Sequence, residues 1–230
     1  LHFQVSYTYS EEFDNNSEAT FVGPGDTNAT GPNKQYAWGR SRFDTPHRFT
    51  FYGSYKLPFF QDRKDLVGML LGGWQIAPVY RYATGTPFTV TSSGVDLNYD
   101  GFSEARPVLL DDIEGRQIDD PNTSQQNLPL SAFRVPTLGD SIDMLVARNA
   151  FRMDDTERLD VGIYKSLGLP FGTTLRVQVD VFNVLNFEQW GFPDTNIGTA
   201  TAPNANFGKI TSMAGAYQPR TYQLGFRLMF

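Results

Sequence analysis

The chain has 230 residues, a formal net charge of -6, 14% aromatic residues and no cysteine. The lack of cysteine excludes a disulfide framework and a thiolate metal site, and the negative charge argues against nucleic acid as a partner. No apolar run approaches the roughly 20 residues of a membrane-spanning helix. Frequent glycine and proline among many aromatic residues instead favour β-structure.

Six segments alternate between apolar and polar residues, which is the pattern of strands with one apolar face. They cover residues 1–9, 47–57, 73–82, 159–164, 175–182 and 221–230. Pro78 lies on the apolar side of the third segment, where it predicts a bulge or a weakly paired position. We expect Phe88 to Val90 to extend this strand beyond the core, and we expect residues 92–156 to be a long irregular loop.

The polar faces of these segments carry charged side chains, namely Arg48, Lys56, Arg81, Asp160, Arg176, Asp180 and Arg227. The apolar faces concentrate Tyr, Trp and Phe near the strand ends, as in the aromatic belts of membrane proteins. In a soluble sandwich the same aromatic residues would form the core. The charged face predicts either ion-pair ladders between strands or contacts with a domain inside a barrel.

The connections between the segments alternate between long and short. Residues 11–45, 92–156 and 187–218 form long connections, and residues 59–72 and 169–172 form short ones. In an up-and-down sheet, successive connections alternate between the two ends, so all the long loops would lie at one end. Bacterial outer-membrane barrels have short periplasmic turns and long extracellular loops. The sequence therefore predicts an all-β, antiparallel, up-and-down transmembrane β-barrel in the bacterial outer membrane, with outer-membrane lipid against its apolar face.

The last segment is similar to the C-terminal strand of outer-membrane barrels. Its large apolar residues occur at every second position and end on an aromatic one: Tyr222, Leu224, Phe226, Leu228 and Phe230. In such barrels this pattern is the signal that the barrel-assembly machinery recognises, so we expect that machinery as a partner.

Six strands are too few for a closed membrane barrel, whose smallest members have about eight strands. Open edges in lipid would leave backbone groups without hydrogen-bond partners. We therefore expect residues 1–230 to be the C-terminal portion of one larger barrel domain, seen here as a partial barrel of about six strands. The last strand would then pair with a first strand outside this chain.

Five segments together resemble the C-terminal barrel of TonB-dependent outer-membrane receptors. They are FDTPHRFTFYGSYKLPF (43–59), GGWQIAPVYRYATGTPFTV (72–90), RNAFRMDDTERLDVGIYKSL (148–167), VQVDVFNVLNFEQWGFP (177–193) and TYQLGFRLMF (221–230). The Oar-like subgroup, whose members carry a carboxypeptidase-regulatory-like domain, is the most similar.

This resemblance implies energy-coupled uptake of an unidentified large ligand. Plug and N-terminal domains would lie upstream, and any contact with TonB would be made there. Two alternatives stay open at this point. One is a smaller outer-membrane barrel that acts as an adhesin or passive pore, and the other is a soluble extracellular β-domain that binds a ligand.

A calcium-loop pattern occurs in the longest loop, over residues 96–101. Asp96, Asn98 and Asp100 stand at positions 1, 3 and 5 of D-x-N-x-D-G, where oxygen ligands converge on Ca²⁺. The glutamate expected at position 12 is replaced by Pro107. The residues predict a Ca²⁺ site, although Asn, Asp and Gly also form ordinary turns.

The sequence contains little that points to catalysis. The two histidines, His2 and His47, are expected at opposite ends of their paired strands. No nucleophile-elbow, zincin or phosphate-loop pattern occurs. We therefore expect no enzymatic activity and no required cofactor.

Overall fold

The computed structural model describes residues 1–15, 17, 37–60, 63, 65–97, 99 and 105–230. Its main feature is a sheet of six long strands. These are β1 (His2–Tyr9), β2 (His47–Lys56), β3 (Trp74–Ala83), β4 (Thr156–Gly168), β5 (Thr174–Phe182) and β6 (Thr221–Met229). Each strand pairs antiparallel with the next one in the chain. The all-β, up-and-down prediction is confirmed, and the sheet is open between its edge strands β1 and β6.

Two details of the strands differ from the sequence prediction. Strand β4 is longer than residues 159–164, because it pairs with β3 from Thr156 opposite Ala83 to Lys165 opposite Trp74. Pro78 pairs with β4 but interrupts the ladder toward β2 without a change of register. The predicted weak pairing at Pro78 is therefore confirmed on one side, because proline has no N–H to donate.

The connections are sorted by length as predicted. Residues 57–73 and 169–173 connect strands at one end, and residues 10–46, 84–155 and 183–220 connect them at the other. The first short connection contains a helix, Leu66–Leu71, that the sequence pattern did not predict. None of the helices in the described ranges is both long enough and apolar enough to span a membrane.

The registers place the alternating apolar residues on one face of the sheet. One row across it contains Ile76, Ile163, Val179 and Leu224. Apolar side chains at both edges are exposed, and Phe226 retains 67% of its accessible surface. An apolar sheet face that no layer of the described residues covers fits a lipid environment.

The buried apolar core lies in the long connections and not against the sheet. Its members are Phe88, Val90, Ile113, Ile118, Leu128, Ala132, Phe133, Val146, Phe151, Met153, Ile197, Phe207 and Ile210. We call the three long connections, as far as they are described, the loop cap. Residues 92–155 are largely irregular as expected, with regular elements of only two to four residues in their described part, but the sequence did not predict that their apolar residues build a packed core.

The connections also contain short regular elements. Strands Pro87–Phe88, Phe151–Met153 and Gln117–Ile118 form one small sheet, and Val108–Leu109 pairs with Phe133–Arg134. Strand Phe13–Asp14 pairs with Gly39–Arg40, and short helical segments span Ser124–Asn127, Leu130–Ala132, Ile142–Met144 and, in the second short connection, Pro170–Gly172.

The expected extension of β3 through residues 88–90 is also wrong. Phe88 pairs with Phe151 in the small sheet of the loop cap. Gly85 permits this change of direction, because a Cβ atom there would lie 2.0 Å from the carbonyl oxygen of Met153.

Candidate functional site

The polar face of the six-stranded sheet carries the predicted charged side chains. Arg81 lies directly opposite Arg158, and Arg176 lies directly opposite Arg227. Like charges at directly opposed positions destabilise a sheet. Positive side chains outnumber negative ones on this face, although the whole chain carries a net charge of -6.

Tyr164 organises the part of this face that lies near the short connections. Its ring lies over Gly162, where an added Cβ atom would lie 2.3 Å from the Tyr164 hydroxyl oxygen. The Arg176 guanidinium is 4.7 Å from the centre of the Tyr164 ring, a geometry for a cation–π interaction. The Tyr164 hydroxyl donates to Asp180 Oδ1 at 3.4 Å. The glycine thus allows an aromatic ring to lie flat on the sheet and position an arginine.

A second polar group joins the sheet to the last long connection. Arg158 Nε donates to Asp160 Oδ1 at 2.8 Å, and Arg158 Nη1 donates to Gln218 Oε1 at 2.8 Å. Asp160 Oδ1 also accepts from the backbone N–H of Asn183 at 2.9 Å. The predicted ion pairing occurs here within strand β4, whereas Arg48 forms no ion pair with the described carboxylates.

Arg148 joins the first and second long connections. It is 1% exposed, and it forms an ion pair with Asp14 and donates to Ser17 Oγ at 3.2 Å. Burial alone would raise the pKa of Asp14, but hydrogen bonds from Arg148, Ser41 and Ser17 outweigh it and hold that pKa below its ordinary value. Asp14 is therefore a charged, anchored partner of a buried guanidinium.

A fully buried carboxylate lies nearby. Asp44, which is 1% exposed, forms ion pairs with Arg152 and Arg40. Its Oδ1 accepts from the backbone N–H of Glu12 at 2.9 Å, and Arg152 Nη1 also donates to the Gly85 carbonyl at 3.0 Å. These bonds connect the first long connection to the start and the end of the second.

Two adjacent carboxylates lie where the loop cap meets the sheet. Asp155 accepts from Gly85 N at 2.7 Å and from the Tyr82 hydroxyl at 2.7 Å. Asp154 accepts from Trp190 N at 2.9 Å, and burial, with the charges of Asp119 and Asp155, raises its pKa. The sequence pattern did not single out these residues, because their partners are distant in the chain.

The calcium prediction falls largely outside the described residues. Asp96 is described, whereas Asn98 and Asp100 lie outside the described residues. Within the described ranges, no group of three or more His, Asp or Glu side chains could hold a metal ion. Ca²⁺ binding at residues 96–101 stays a prediction.

The histidines lie at opposite ends of the paired strands β1 and β2, as expected. His2 pairs with Ser54, and His47 pairs with Tyr9. His47 Nδ1 is 2.9 Å from the Tyr7 hydroxyl oxygen, so it is a hydrogen-bonding residue next to the long connections.

The residues expected to contact the assembly machinery share one face of β6 and its C-terminal end. Four of them oppose apolar residues of β5, with Tyr222 opposite Val181 and Phe226 opposite Val177 among the pairs. All are exposed, and Phe230 fully so. Recognition by the assembly machinery stays a prediction.

Comparison with known proteins gives one match. The family model described as outer membrane beta barrel domain matches residues 1–223. No curated protein and no solved structure matches the chain. The match agrees with the meander order, the sorted connections and the uncovered apolar face, and it leaves no place for the soluble-domain alternative. The chain belongs to the outer membrane beta barrel domain family, and its location is the bacterial outer membrane.

Proposed function

We propose that this chain is part of the barrel of a TonB-dependent receptor of the Oar-like subgroup, which takes up a large ligand by energy coupling and catalyses no reaction. The ordered series of five segments over residues 43–230 carries this proposal, because together they follow the receptor barrel from one strand to the next. The plug domain and the contact with TonB belong to upstream regions in this proposal.

The loop cap supports a receptor role. Its second and third connections share a buried core, and ion pairs with buried members tie the first connection to the second. Loops held on a rigid scaffold are the usual place for selective binding surfaces. A folded cap presents a defined surface to a ligand outside the cell, which a receptor needs and which a passive pore does not.

The test uses the full-length parent protein in detergent and the purified periplasmic domain of TonB from the same bacterium. We expect saturable binding that is lost when the TonB box is deleted from the parent. Absence of binding, or a parent sequence without a plug domain, would overturn the proposal.

The second candidate is a passive pore, and the arginine-rich polar face favours it. Opposed arginines such as Arg176 and Arg227 would attract anions to a water-filled lumen. Planar-bilayer recording of the full-length protein separates the candidates. Steady conductance with anion selectivity supports the pore, whereas a plugged receptor stays closed.

A further inference from the structure

An apolar groove of about 300 Å³ opens on the apolar face of the sheet, across β1, β2 and β3. We call it the lipid-face groove. All its lining residues belong to the apolar face except Ser54, whose hydroxyl accepts from Gln75 Nε2 at 2.7 Å on the polar face. The other lining residues are Leu1, Phe3, Phe51, Gly53, Tyr55 and Pro78.

A glycine and a proline create this depression. Gly53 lies directly opposite Phe3 in the β1–β2 ladder, and the register toward β3 places it opposite Pro78, where that ladder is interrupted. Both residue types weaken a strand interior, and a glycine there often marks the close approach of a ligand. An added Cβ atom at Gly53 would lie 3.3 Å from the Phe51 ring and 3.7 Å from Phe3 Cβ. A larger side chain at this position would therefore fill the groove.

The size of the groove fits a segment of a hydrocarbon chain. A closed apolar cavity of about 150 Å³ holds one benzene molecule, and the lipid-face groove has about twice that volume. The outward apolar face of an outer-membrane barrel contacts lipid chains. Because these surroundings are as apolar as the groove, preference for one occupant depends on van der Waals packing. A concave site gives a chain more packing contacts than a flat surface does, so the groove should hold a chain in preference to the surrounding face.

The groove lies toward the short-connection end of the sheet. Tyr55 comes one residue before the end of β2 at Lys56, and Leu1 lies immediately before β1. Short connections of outer-membrane barrels face the periplasm, so the groove lies in the periplasmic half of the membrane. Tyrosine favours the boundary between the apolar and polar parts of a membrane. Tyr55 is 42% exposed, and its hydroxyl is a donor for an ester or phosphate oxygen of a lipid at this boundary.

We propose that the lipid-face groove binds one acyl chain of a phospholipid from the periplasmic leaflet. The chain lies over Gly53 and Pro78, between Phe3 and Phe51, and the headgroup lies toward Tyr55. The site requires only the membrane barrel and is independent of TonB coupling. A further strand paired with β1 would lie beside it in the plane of the sheet, about 4.8 Å away, and would leave this face open to lipid.

Native mass spectrometry of the full-length protein, released from detergent after titration with dioleoyl phosphatidylethanolamine, tests the site. We expect saturable retention of one lipid. Gly53→Leu fills the groove and should weaken this binding about tenfold or more. Gly225→Leu is the matched control, because Gly225 is also a strand glycine but lies opposite Gln178 on the polar face. The lipid affinity of this control should stay within about twofold of the wild type.

Pro78→Val separates loss of lipid binding from loss of the fold. Valine adds a side chain that occupies the groove, and it supplies the N–H that proline lacks, so β3 should pair at least as well as in the wild type. We expect weaker lipid binding in P78V, with an unchanged or raised thermal midpoint in detergent. Heat-modifiable migration in gels confirms that G53L and G225L are folded.

A parallel titration with lipopolysaccharide tests the assignment to the periplasmic leaflet. Tighter binding of phosphatidylethanolamine than of lipopolysaccharide supports that assignment, and the reverse order overturns it. Two further outcomes would overturn the proposal. One is the absence of a saturable, retained phospholipid in the wild type, and the other is wild-type lipid affinity in both G53L and P78V.

Discussion

Arg152 and Asp44, which are separated by 108 residues in sequence, form an ion pair in which the carboxylate is completely buried. Arg152 also donates to the carbonyl oxygens of Asp44 and Gly85. One guanidinium thus holds the end of the first long connection and the start of the second in contact. The loop cap depends on this pair for its shape, in addition to its apolar core.

Asp44→Asn should loosen the loop cap. The change leaves Arg152 buried beside a neutral group, and breaking a buried ion pair costs about 3–5 kcal/mol. Hydrogen exchange should show faster exchange in residues 84–90 and 148–153, with the strands unaffected. D140N is the control, because the Arg134–Asp140 pair joins residues within one connection. Equal protection in D44N and the wild type would contradict the prediction.

The contact between Arg148 and Asp14 should make the loop cap sensitive to acid. The pKa of Asp14 is lowered from 3.8 in the folded protein. The contribution of this ion pair to stability is therefore complete at a pH above the pKa that Asp14 has in the unfolded chain. It is lost as the pH falls through the lower pKa of Asp14 in the folded protein. Amide hydrogen exchange in the first long connection should become faster, relative to its intrinsic rate, as the pH falls through this range in the wild type. D14N should be less protected at neutral pH and should show a flatter pH profile.

Phe151→Ala should destabilise the loop cap and leave the sheet assembled. Phe151 is fully buried between Phe88 and Phe133, and removal of such a ring costs about 3–5 kcal/mol. Leu138→Ala, at a position that is 65% exposed, should change stability by less than about 0.5 kcal/mol. Protease sensitivity of the loops on whole cells measures the difference, while heat-modifiable migration should be the same for both variants.

Gly162→Ala should disturb the polar face more than Gly225→Ala. An alanine at 162 would meet the Tyr164 ring and displace it from Arg176, whereas an added Cβ at 225 would be 3.7 Å from Gln178. The thermal midpoint in detergent should fall in G162A, since the cation–π contact and the Asp180 hydrogen bond are lost together. Equal thermal midpoints for G162A and G225A would contradict the role of the Tyr164 ring in positioning Arg176.

Deletion of Phe230 should reduce the amount of assembled barrel. Its side chain is fully exposed at the end of β6, so its removal takes away no buried contact and tests recognition by the assembly machinery. Heat-modifiable protein in outer-membrane fractions measures assembly, with Phe171→Ala as the control for loss of an exposed aromatic residue at the same end. Unchanged assembly after the deletion would contradict the proposed signal.

Strand periodicity and connection length were sufficient to predict the sheet. Apolar and polar residues alternate within each strand, so the sequence of one strand assigns Phe51 to the apolar face and Arg48 to the polar face without knowledge of the neighbouring strands. The sorted connections then gave the direction of every strand. Local rules also predicted the weak pairing at Pro78, because the missing N–H is a property of the residue.

Only the tertiary structure revealed the loop cap. Phe151 and Phe207 have no shared period in the sequence, and they meet because distant connections pack together. Arg152 lies more than 100 residues from its partner Asp44, and Arg148 lies more than 100 residues from its partner Asp14, so no spacing rule relates them. Lys165 alternates onto the apolar face, and only the fold shows that its ammonium donates to the Gly72 carbonyl. Alternation depends on the local backbone, whereas ion pairing and burial depend on which connections fold against one another.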